Sequence, residues 1–131
     1  MSEPRDEHSA PPPLLLVDTY QSGEAVVVRA SGEVDLHTAP ELETAVAGAL
    51  DRAGRHPCVI DLTNVTFLSS PGLNALVRAA QRAEREPGPL RIVVDANRPV
   101  IRPIELTGLD SILALYHTVD EALSPERDDQ E

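Results

Sequence analysis

Two serines, Ser69 and Ser70, stand between the apolar run Val59-Ile60-Asp61-Leu62-Thr63-Asn64-Val65-Thr66-Phe67-Leu68 and the pair Pro71-Gly72. This spacing reads as a buried strand that passes through two hydroxyls into a helix. A helix start leaves backbone N–H groups unpaired and carries partial positive charge, so a serine there can cap the helix, hold an anion or accept a phosphoryl group. The simplest local reading makes Ser70 the cap and Pro71 the first helical residue. Serine-nucleophile chemistry would need a base, and His8, His37, His56 and His117 are the candidates. None lies in a supporting motif, and Ser70 lacks the Gly-x-Ser-x-Gly elbow. A metal site is equally unsupported, because the histidines are far apart and Cys58 is the one cysteine. Neither Gly-x-Gly-x-x-Gly nor the lysine-containing phosphate loop occurs, and the chain has no lysine, so no nucleotide or other cofactor is expected. Asp35, after Gly32-Glu33-Val34, reads as a solvated acid in the loop entering the first helix.

Elements that could position these residues follow from the pattern around them. Leu14 to Tyr20 and Glu24 to Ala30 are β-rich runs joined through Gln21-Ser22-Gly23, a hairpin signature. Thr38-Ala39-Pro40-Glu41 fits a capping box, followed by Leu42, Ala45, Val46, Ala49, Leu50 and Ala53 at helical spacing up to Gly54. Pro57 to Leu62 reads as a strand covered on both faces. Leu73, Leu76, Val77, Ala80 and Ala83 give a second amphipathic helix, stopped by Glu86-Pro87-Gly88-Pro89. Leu90 to Val94 resumes a strand. From Asn97 or Arg98 to Thr107 a helix is expected that Pro103 makes short, late-starting or kinked. Ile112 to Tyr116 reads as the last strand, and Thr118-Val119-Asp120-Glu121 as the start of a final helix. The order β-β-α-β-α-β-α-β-α defines an α/β domain: a mixed, mostly parallel sheet opened by a β-hairpin, with helices packed on it.

Composition narrows the function. With 131 residues, one domain over 14–123 is expected, flanked by polar, charged or proline-rich tails at 1–13 and 124–131 that bury too little apolar area to order. The chain holds 11 arginines against 22 acidic residues, net −11, which disfavours nucleic acid as a direct partner. Phe67, Tyr20 and Tyr116 are the only aromatic rings, each in an apolar stretch expected to pack inward rather than stack on bases. No signal peptide or membrane-spanning run is evident, so a cytoplasmic protein without membrane contact is expected. Cys58, within Cys58-Val59-Ile60, reads as a buried thiol.

Three stretches together resemble the STAS-domain anti-sigma factor antagonists, small bacterial proteins that bind serine-kinase anti-sigma factors. They are Gly32-Glu33-Val34-Asp35, the run from Ile60 through Ser69-Ser70-Pro71-Gly72-Leu73, and Leu106-Thr107-Gly108-Leu109. The resemblance covers about residues 14–123 and implies a non-enzymatic module that sequesters an anti-sigma factor and frees a sigma factor for transcription. By position it implies partner contacts at Ser69, Ser70, Gly72, Leu73 and Asn74, with Asp35 and Thr38 from the neighbouring loop. In that family the central segment commonly reads Asp-Ser-Ser-Gly or Asp-Ser-Thr-Gly, and the partner phosphorylates the hydroxyl directly before glycine. Aligned on Gly72, that position is Pro71, which cannot take phosphate. Either Ser70, or less favourably Ser69, replaces it as acceptor, or binding is not switched by phosphorylation here; the displaced geometry favours the second. A different class of reading is a scaffold or sensory STAS protein that assembles with other STAS domains or a transport complex. The sequence leaves oligomeric state, including a homodimer, open.

Overall fold

The computed structural model describes residues 14–124. The expected tails, 1–13 and 124–131, lie outside them except for Ser124. Strands β1 (Leu15–Ser22) and β2 (Ala25–Val34) form the opening hairpin, and Gly23 supplies the positive φ of its turn. Then come helix α1 (Ala39–Ala53), strand β3 (Cys58–Leu68), helix α2 (Ser70–Ala83), strand β4 (Leu90–Val93) and helix α3 (Arg98–Leu106). A 3₁₀ turn at Leu109–Ser111, strand β5 (Leu115–Tyr116) and helix α4 (Val119–Leu123) complete the order. The sheet runs β1-β2-β3-β4-β5, antiparallel between the first two strands and parallel thereafter, the mixed sheet expected from the element order.

Strand alternation divides the core in two. Val26, Val28 and Ala30 of β2 and Cys58, Ile60 and Leu62 of β3 face α1, α2 and α3 in the main apolar layer. Val27, Val59 and Val93 point the other way, where Ala122 of α4 covers them. This explains the continuous apolar runs: such strands are buried on both faces. Cys58 is fully buried, and desolvation pushes its thiol pKa up to about 12.

Some expectations are corrected. The last strand is only Leu115–Tyr116, because the 3₁₀ turn occupies the preceding segment and leaves Ile112 exposed. Helix α3 is short, as Pro103 required, and ends three residues beyond it. Phe67 is half exposed rather than packed inward, because β3 continues past the end of β4 onto open surface. Beyond Asp61, β3 has no strand on the β4 side, and a side chain substitutes: Asn97 Nδ2 donates to Leu62 O at 2.9 Å and to Val65 O at 2.7 Å.

Asn97→Ala therefore leaves two backbone acceptors without their donor and is expected to cost about 1–3 kcal/mol. Urea unfolding should show a lower midpoint at unchanged slope.

Candidate functional site

Parallel strands β2 and β3 end side by side, with Val34 opposite Leu68, and both continue into the segments that hold the predicted residues. The Ser69 amide donates to Val34 O at 2.9 Å, and Ser69 Oγ donates to the same oxygen at 3.1 Å. The same Oγ accepts from Gly72 N at 3.3 Å, which makes Ser69 the cap of α2. This corrects the expectation for Ser70. Ser70 is the first helical residue, is exposed, and its hydroxyl has no hydrogen-bond partner among the described residues.

Gly72 is held by packing rather than by backbone conformation. A Cβ there would lie 2.7 Å from Leu68 Cδ1 and 2.9 Å from both Val34 Cγ1 and Val34 O. Any side chain would lever the helix start away from the end of β2. Leu73 is buried beneath α2 and supports the surface from below, whereas Asn74 is exposed one turn beyond Ser70.

The loop after β2 is closed on itself. Asp35 Oδ1 accepts from His37 N at 3.0 Å and Thr38 N at 3.1 Å, an Asx turn. Thr38 Oγ1 accepts from Asp35 N at 2.9 Å and directs its proton to Glu33 O at 2.8 Å, with Asp35 Oδ1 at 3.2 Å. The capping box is thus corrected: the buried Thr38 side chain is spent inside the loop and makes no cap bond to α1. The Thr38 backbone donor, above all, holds the Asp35 carboxyl below its usual value of 3.8, with further lowering from the Thr38 hydroxyl and His37. Asp35 is therefore a fixed negative charge beside the α2 start.

The structure brings the predicted residues to one end of the sheet but divides their roles. Ser70, Asn74 and the half-buried Asp35 and Ser69 reach solvent, while Thr38, Gly72 and Leu73 are buried and shape the surface. Sequence reasoning missed the Val34 carbonyl, which no side-chain pattern reveals. It also missed Leu36, an apolar side chain in an otherwise polar loop. Among the described residues, no group of three or more His, Cys, Asp or Glu side chains could hold a metal ion, and no helix is long and apolar enough to cross a membrane.

Gly72→Ala should destabilise the fold by about 1–3 kcal/mol through overpacking against backbone that cannot yield, whereas Ser69→Ala should cost about 0.5–2 kcal/mol for the lost cap; denaturant titration separates the two. Because the folded Asp35 pKa is depressed, its contribution is complete above the unfolded value of 3.8 and is lost as pH falls through the lower folded value. The stability difference between wild type and Asp35→Asn should be constant above about pH 5 and shrink below about pH 4. Thermal unfolding across that range checks it.

The STAS domain profile matches residues 17–122. Anti-sigma-F factor antagonist RsfB of Mycobacterium tuberculosis is 35% identical over 120 residues, covering 91% of this chain and 94% of the relative. The anti-sigma F factor antagonist of Paenibacillus polymyxa is 30% identical over 110 residues, covering 84% and 93%. The crystal structure of an anti-sigma factor antagonist from Mycobacterium paratuberculosis superposes with a TM-score of 0.76 at 36% identity, covering 86% of this chain and 94% of that one. The mixed sheet, the hydroxyl-bearing strand-to-helix junction and these likenesses agree: the chain belongs to the STAS-domain anti-sigma factor antagonist family.

Proposed function

We propose that this protein is a non-enzymatic antagonist that binds a serine-kinase anti-sigma factor through the surface around the start of α2, so that the anti-sigma factor releases its sigma factor. The observation that carries this reading is the rigid junction itself. The Ser69–Val34 clip and the closed Asp35–Thr38 loop hold exposed Ser70 and Asn74 and half-buried Asp35 at one end of the sheet without waiting for a partner to order them. Preformed surfaces lose less entropy on binding. The relatives are anti-sigma factor antagonists in each case, which supports the same partner class.

Binding here is not governed by phosphorylation at the usual family position. Phosphate adds roughly −1.5 to −2 charge at neutral pH and, on a contact surface that already carries Asp35, would oppose docking. Pro71 offers no hydroxyl, and the Ser69 hydroxyl is engaged as donor to Val34 O and acceptor from Gly72 N. Ser70 retains an open hydroxyl, but successive residues project about 100° apart around a helix. A kinase that aligns its terminal phosphate in line with residue 71 therefore finds Ser70 out of line.

Incubation with the cognate kinase and ATP should leave most of the protein unmodified, while Pro71→Ser creates an acceptor. Intact-mass and peptide mass spectrometry read both. Rapid stoichiometric labelling of wild type at Ser70 would overturn the phosphorylation reading, and failure to bind any anti-sigma kinase of the same genome would overturn the function.

A further inference from the structure

Four of the six large apolar side chains left exposed among the described residues, Leu14, Leu16, Leu36 and Phe67, fall at the site's end of the fold. Cross-strand register places three of them on one face. Glu33 is opposite Phe67, and its amide donates to Leu14 O at 2.8 Å; Ser31 lies between Leu16 and Asn64. Leu15, Leu68 and Val34, the immediate neighbours of Leu14, Leu16, Phe67 and Glu33, point into the main core, and the β2–β3 register shifts between Gly32 and Glu33, so Leu14, Leu16 and Phe67 project from the opposite, outer face of the sheet. Helix α4 covers that face only farther back, over Val59 and Val93, and leaves this row open. Leu36, 67% exposed, follows Asp35 in the loop that leaves β2.

The charge around the row is predominantly acidic: Arg29, two residues before Ser31 on the same face, stands between Asp18 and Asp61 in the strand register and lies over Tyr20, toward the hairpin end. Residues 14–17, 31–41 and 63–74 contain Glu33, Asp35 and Glu41 and no arginine. An apolar row with an acidic rim is complementary to an apolar protein surface framed by arginine or lysine.

We infer that the docking surface continues from the start of α2 around the strand ends onto the outer sheet face, with Leu36, Phe67 and Leu16 as its apolar anchors. Its occupant is a basic-rimmed apolar patch on the anti-sigma factor. This rests on the function proposed above and names what that partner must present.

Calorimetric titration of the full-length protein with the cognate anti-sigma factor tests it. Leu36→Ala and Phe67→Ala should each weaken binding about tenfold or more, as buried anchors do. Leu106→Ala, an exposed leucine on α3 away from the row, should bind as wild type does. Raising salt should weaken wild-type binding. Phe67 lies on a strand, so Leu36→Asp, in a loop outside both core clusters, decides the matter if Phe67→Ala unfolds. Wild-type binding that neither Leu36 variant weakens overturns the extended surface and leaves the proposed function standing. Absence of wild-type binding overturns both.

Discussion

The carbonyl oxygen of Val34 accepts from both the amide and the hydroxyl of Ser69, and the rest of the site depends on this three-centre clip. It ties the last residue of β2 to the residue that caps α2 and so fixes where the helix starts relative to the strand. Gly72 then lets the first turn settle onto Val34 and Leu68 with no room for a Cβ. One residue beyond Val34, Asp35 turns the chain back with its own side chain and fixes a carboxylate beside the helix start. Three short-range devices thus produce a surface whose geometry is set by the fold.

The wider structure supplies rigidity to that end. Continuous burial of β2 and β3 on both faces anchors the strands, and salt links such as Arg82 Nη2 to Asp51 Oδ1 at 2.9 Å join α2 to α1 at the surface. Exposed pairs of this kind add little stability but help register the two helices. On the outer face, Arg91 donates to Ala122 O at 2.7 Å and lies over Tyr116, which fixes α4 to the sheet. Arg29 lies over Tyr20, so the remaining arginine of this face is drawn toward the hairpin end of the sheet rather than toward the strand ends.

The elements with strong periodicity were legible from their residues alone. The hairpin, the stripes of α1 and α2 and the uninterrupted apolar runs each follow from a local pattern, and the order of elements led to the mixed sheet. The details that failed were those decided by contacts distant in sequence. Whether Ser69 or Ser70 caps α2 cannot be read from Ser-Ser-Pro-Gly, because proline fits either of the first two helical positions and the choice is made by Val34, thirty-five residues earlier. Thr38 matched a capping box locally, yet Asp35 and Glu33 outcompete the α1 amides for its hydroxyl. Phe67 stands in an apolar run that reads as a buried strand up to Leu68, but the β4 pairing stops at Asp61 and the rest of β3 continues on the support of Asn97 with its outer side uncovered. The site residues were located as a group by their resemblance to a family pattern, but their division into exposed contacts and buried supports required the packing.

The central claim, that a preformed surface at the joined ends of β2 and β3 docks another protein, is tested most directly by titrating isotopically labelled protein with the cognate anti-sigma factor and following each backbone amide by NMR. The account predicts that the largest shifts and line broadening fall within residues 31–38 and 64–75. Perturbation confined to the outer groove between α1 and α2, around Ala47, Arg78 and Arg82, with the strand-end amides unmoved, would contradict it.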